Sequence, residues 1–165
     1  MEAGSQKRLS LDTNLLFDLA DKKDFVHDFR ETYQRKGYAL VISPTVVAEL
    51  CFLSELGDSE EQPLASGALA GIAGWDIRAF PLAGVQLDLA RRFASVLIAR
   101  NLLPESEIND AFILAESAVA EIPLLVSSDH HLLAIDHDTL RDTCAEADLH
   151  STFPVSPRRL LRSLR

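Results

Sequence analysis

Four acids stand where acids are hard to explain. Asp12 ends the apolar run Leu9-Ser10-Leu11 and is followed at once by Thr13-Asn14-Leu15-Leu16, and Asp129 ends Leu124-Leu125-Val126-Ser127-Ser128. Glu49 and Asp110 lie inside helical patterns rich in apolar residues. Four carboxylates sharing one crevice would raise one another's pKa, so they could not all ionise unaided. A divalent cation resolves that conflict. Hard oxygen donors suit Mg²⁺ or Mn²⁺, which take one or two carboxylates directly and keep several waters. One or two such ions can position a water, lower its pKa and offset charge building on a phosphodiester. No Ser-His-Asp order, Cys-His pair, phosphate-cradling glycine loop or cysteine-rich zinc pattern offers a competing chemistry.

The elements that must carry these acids follow from hydrophobic period. Short β-rich apolar runs alternate with longer helical patterns, which predicts an α/β fold with a mainly parallel sheet between two layers of helices. Five strands are expected near Arg8 to Leu11, Ala39 to Ile42, Asp76 to Phe80, Leu124 to Val126 and Leu149 to Thr152. Helices are expected near Asn14 to Ala20, Asp24 to Lys36, Pro44 to Leu56, Leu64 to Ala73, Gly84 to Asn101, Glu105 to Glu121 and His137 to Ala145, with a last one after Ser156. Ser43-Pro44 and Ser156-Pro157 each combine a capping serine with proline at the first helical position. The stretch from Gly57 to Gly74 holds four of the seven glycines and reads as a weak helix or a flexible clamp.

In open α/β sheets, ligands bind beyond the carboxyl ends of the strands, which is where Asp12 and Asp129 fall. Helix capping by Asp12 and ordinary turn chemistry at Asp129 are the alternatives. On the helix starting at Pro44, Val46, Leu50, Leu53 and Leu56 project at roughly 200°, 240°, 180° and 120°, and Glu49 at roughly 140°, inside their arc. Glu55 projects at roughly 20°, on the polar side. Asp110 lies between the directions of Ile113 and Leu114 on a helix apolar on nearly every side. An acid so placed needs metal, hydrogen bonds or a buried ion pair with Arg or Lys. Glu107 sits one turn before Asp110 on nearly the same face, as an auxiliary ligand or as an acid favoured by the helix dipole.

The bulk properties bound the rest. A chain of 165 residues, 47% hydrophobic and 25% charged, suits one domain over residues 1–165 with a core of its own. The polar start from Met1 to Ser10 and the lack of a long apolar run predict a cytoplasmic protein rather than a membrane one. Cys51 and Cys144, both in helical patterns, are expected to be buried free thiols. A net charge of −9 opposes simple binding of a nucleic-acid backbone. Bound metal would neutralise part of it, and positive charge gathers at Arg91, Arg92 and Arg100 and at Arg158, Arg159, Arg162 and Arg165, either for RNA or as solvated helix faces.

Together these segments resemble the PIN-domain family, including VapC-type toxins of bacterial toxin-antitoxin pairs. The resemblance spans nearly the whole chain and rests on Leu11-Asp12-Thr13-Asn14, Val46-Val47-Ala48-Glu49-Leu50, Asn109-Asp110-Ala111, Ser127-Ser128-Asp129 and the closing Pro154-Val155-Ser156-Pro157. It implies a five-stranded sheet in the order 3-2-1-4-5, with the strands of Asp12 and Asp129 side by side. It further implies Mg²⁺- or Mn²⁺-dependent cleavage of RNA, homodimers, and a small antitoxin that plugs the acidic groove with basic residues. Asp12, Glu49, Asp110 and Asp129 become metal ligands, directly or through water, with Asn14 and Ser127 as polar support. One departure is His131, which stands where members of the family often carry Asp or Asn, followed by Leu132 where an aromatic is common.

Two other readings compete. A PIN fold altered at its metal site would serve as an RNA- or protein-binding module. The triplet Asp129-His130-His131 also resembles the DHH phosphoesterases, which use Mn²⁺, although those are longer and need further Asp motifs that this chain lacks.

Overall fold

The structure is a computed structural model that describes residues 5–164, so Arg165 of the C-terminal basic group and residues 1–4 of the polar start lie outside the described residues. Strands β1 (Arg8–Leu11), β2 (Ala39–Ile42), β3 (Ile77–Ala79), β4 (Leu124–Val126) and β5 (Phe153–Val155) form a sheet in the order β3-β2-β1-β4-β5. Every pairing is parallel. Leu9, Ser10 and Leu11 are all buried although successive side chains point to opposite faces, so helices cover both sides of the sheet. Parallel pairing sends the carboxyl ends of all the strands to one edge.

The helices are α1 (Thr13–Ala20), α2 (Asp24–Arg35), α3 (Pro44–Leu56), α4 (Glu61–Gly71), α5 (Gly84–Ala99), α6 (Ile108–Val119), α7 (His130–Leu133), α8 (His137–Glu146) and α9 (Pro157–Arg162). A 3-10 turn at Glu105–Glu107 leads into α6, where a single helix from Glu105 was expected. Both expected serine caps form: Ser43 Oγ accepts from the Val46 amide and Ser156 Oγ from that of Arg159.

Several expectations need correction. The fifth strand is Phe153–Val155 rather than Leu149 to Thr152. Pro154 is compatible with an edge strand because the ladder to β4 uses the Phe153 amide, donating to Pro123, and the Val155 carbonyl, accepting from Ser127. Asp76 adopts a left-handed backbone (φ 54°), which delays β3 to Ile77. The glycine-rich stretch contains the regular helix α4, and Gly71 matters there by close approach, since an added Cβ would lie 2.5 Å from the Trp75 ring. The helix α7 was not anticipated; one turn is too short for a period to register. Cys144 is buried as expected, but Cys51 is exposed. It shares that exposure with Phe52 (58%) and Leu56 (69%), so the apolar arc of α3 is narrower than its composition implies and centres on the fully buried Val46 and Leu50.

Candidate metal centre

The carboxyl edge of the sheet gathers the acids. Asp12 follows β1 and caps α1, with Oδ1 accepting from the Thr13 amide at 2.8 Å. Its Oδ2 accepts from Ser127 Oγ at 2.6 Å, and Ser127 Oγ in turn accepts from the Asp129 amide at 2.9 Å. The fully buried Ser127 therefore joins the acid after β1 to the acid after β4, and the adjacency of those strands makes this possible. Asp129 caps α7, taking the amides of His131 at 2.8 Å and Leu132 at 3.3 Å. Thus the capping and turn roles are real, and they coexist with convergence of the acids.

Glu107, Asp110 and Asp129 each offer an oxygen within 4.8 Å of the other two. Oxygens held at about 2.1 Å from one Mg²⁺ stand at most about 4.2 Å apart, so small side-chain adjustments bring the three into a common shell. Glu107, treated in the sequence as auxiliary, is a member of this tight group. Asp12, 3% exposed, and the half-buried Glu49 stand outside this group, but the charge of Asp12 acts on Asp110 and that of Glu49 on Asp12. Asp110 is likewise half-buried rather than dry, because it occupies the first turn of α6.

The electrostatics favour a cation. Burial pushes the Asp12 carboxyl up to about 6, against the opposing pull of its bonds to Ser127 and Thr13, with the charges of Glu49 and Asp129 adding to the rise. Asp110 is pushed up to about 8, first by burial and then by the charges of Asp12 and Asp129. Burial also raises Glu49. Among the described residues no Lys or Arg pairs with Asp12, Glu49, Glu107, Asp110 or Asp129, so the buried ion pair considered for Glu49 does not form. The nearest basic group is the His131 ring, 3.6 Å from Glu107.

The donor set fits a hard divalent ion. Asp110 Oδ2, within the carboxylate cluster, and Asn14 Oδ1 are buried without a hydrogen-bond partner, which polar atoms rarely tolerate. Asn14 Oδ1 has no partner, whereas Ser127 supports Asp12 directly. Of the expected basic group, Arg91 and Arg92 are exposed on α5, but Arg100 pairs with Glu146 and Arg158 lies over the Phe25 ring.

One acid close to the site escaped the sequence reading. Glu116 on α6 is 4% exposed, and its two oxygens accept from the Thr45 amide (2.9 Å) and the Thr45 hydroxyl (2.6 Å). Its position in the middle of an almost wholly buried helix was a signal of the same kind as that used for Asp110.

A parallel sheet in this order with acids gathered at its carboxyl edge defines an α/β domain with a carboxylate cluster at the sheet edge. The chain belongs to the PIN-domain family, whose model matches residues 9–138 and whose members are generally nucleases. The fold is similar to VapBC2 from Rickettsia felis, solved bound to a DNA fragment from its promoter (TM-score 0.63, 16% identity, covering 90% of this chain and 98% of the other). It is also similar to VapBC-1 from nontypeable Haemophilus influenzae (TM-score 0.57, 14% identity, covering 92% and 98%). No curated protein sequence matches the chain. No helix among the described residues is long and apolar enough to cross a membrane.

Proposed function

We propose that this protein is a Mg²⁺- or Mn²⁺-dependent endoribonuclease, acting as the toxin of a toxin-antitoxin pair. The observation that carries the reading is the convergence of Glu107, Asp110 and Asp129, with Asp12 linked to Asp129 through Ser127, on the carboxyl edge of a PIN-type sheet. Glu107, Asp110 and Asp129 would hold one ion, and Asp12 and Glu49 would act directly or through water. The bound ion would supply a water of lowered pKa and stabilise charge on the phosphodiester. The protein's own part is to hold these oxygens close together and leave Asn14 Oδ1 free to bond to waters or substrate. Arg91 and Arg92 supply exposed positive charge for an RNA backbone.

The partner readings rest on surface character. A net charge of −9 with acids grouped at one edge suits a partner that inserts basic residues, and the fold neighbours are VapBC assemblies. Exposed Phe52 and Leu56 on α3, with Val85 and Leu89 on α5, provide apolar surface for an antitoxin or a second copy of the chain.

Purified protein is expected to cut RNA only with added Mg²⁺ or Mn²⁺, and Asp12→Asn or Asp110→Asn is expected to lower the rate by more than about 100-fold. Unchanged cleavage in both variants would sink the assignment. A protein with no measurable Mn²⁺ affinity would instead be a binding module.

A further inference from the structure

Besides Asp129 after β4, three elements carry the acids: β1 leads to Asp12, α3 holds Glu49, and α6 holds Asp110 just after Glu107. Backbone hydrogen bonds fix β1 against its neighbouring strands, but they fix neither helix relative to the sheet or to the other helix. Apolar packing is non-directional, so it does not by itself set the position of a helix along its neighbours, which matters for metal ligands. Consecutive residues of α6 supply directional ties. Glu116 binds the first turn of α3 through both its oxygens, and Ser117 places its hydroxyl 2.8 Å from that of Ser10 on β1, two residues before Asp12. Glu116 is 4% exposed, while Ser117 and Ser10 are fully buried.

The Glu116 bond also completes the start of α3. Pro44 at the first helical position has no amide hydrogen, and the Val46 amide is served by Ser43 at a long 3.4 Å. The Thr45 amide is the free donor between them, and it receives a carboxylate oxygen from another helix at the positive end of the α3 dipole. Glu49 lies one helical turn beyond Thr45, so a shift at Thr45 is passed to Glu49 by a rigid segment.

We infer that Glu116 is a positioning residue: with Ser117 it locks α3 and β1 to α6 and so sets the spacing of Glu49, Asp12 and Asp110 needed to bind a divalent ion. The inference rests on the metal-site reading above. It assigns Glu116 no contact with metal or RNA.

The test is Mn²⁺ affinity measured by calorimetry, well below the melting temperature, on wild type, Glu116→Ala, Thr45→Val and Thr45→Ser. Glu116→Ala and Thr45→Val should remain folded and weaken Mn²⁺ binding by about tenfold, the low end of the loss that follows removal of a supporting contact around a metal site. Thr45→Ser, which keeps the hydroxyl, should bind as wild type does. A role confined to stability would lower the melting temperature of the first two variants and leave their Mn²⁺ affinity unchanged, and that result would overturn the inference. Should Glu116→Ala fail to fold, the contrast between Thr45→Val and Thr45→Ser decides the matter. Absence of Mn²⁺ binding by the wild type would instead remove the metal-site reading, and this inference with it.

Discussion

The Ser127 hydroxyl donates a 2.6 Å hydrogen bond to Oδ2 of Asp12, linking the ends of two adjacent parallel strands inside a fully buried pocket. Ser127→Ala leaves that oxygen buried without a donor, which costs about 1–3 kcal/mol. Denaturant unfolding of the metal-free variant at neutral pH should show this loss, and Mn²⁺ affinity should fall as well, because the Asp12 carboxyl loses the bond that favours its ionised form.

The metal-free protein should become less stable as pH rises. The folded state holds a proton on Asp12 up to about pH 6, whereas an unfolded Asp releases it near pH 3.9. The folded state therefore binds more protons between these values, and stability present below about pH 4 is lost as pH climbs through 6. Two pKa units correspond to about 3 kcal/mol from Asp12, and Asp110, raised to about 8, extends the decline beyond pH 6. Melting curves from pH 4 to pH 8 check the slope, and saturating Mn²⁺ should flatten it. A metal-free stability that rises steadily over this range would contradict the electrostatic description.

Asp110→Asn should act in opposite directions on stability and function. It removes a carboxyl group crowded by the charges of Asp12 and Asp129, so the metal-free variant should melt at a higher temperature than wild type at pH 8. Mn²⁺ binding and any RNA cleavage should be lost in the same preparation. A variant that is destabilised at pH 8 would indicate that Asp110 is held by favourable contacts rather than by repulsion.

Thiol labelling should separate the two cysteines. Cys51 is exposed on α3, while Cys144 is buried on α8, where burial raises its pKa. One thiol per chain should react promptly with a thiol reagent in native buffer, and the second only after denaturation. Peptide mapping should place the fast label on Cys51, and equal rates for both would refute the arrangement.

Much of this protein was legible from local sequence because the relevant signals are local. Short apolar runs of β-branched and leucine residues separated by helical periods determined parallel α/β architecture, and an acid directly after such a run had to emerge at the carboxyl edge of the sheet. Asp12 and Asp129 were therefore readable one segment at a time. Glu49 and Asp110 were readable as acids on apolar faces, but the helical period gives a direction and not a depth, so it overstated the burial of both. What needed tertiary structure was everything that depends on two segments meeting. The grouping of Glu107 with Asp110 and Asp129, the bridging hydroxyl of Ser127, the pairing of Arg100 with Glu146 and the tie from Glu116 to Thr45 join residues brought together by strand order and helix packing. Strand order came from the family resemblance, because composition and period are unchanged when strands are permuted. The sequence by itself determined which elements form and which acids are out of place. The packed fold decided which of those acids share a point in space, because that distance is set by long-range contacts that no local pattern encodes.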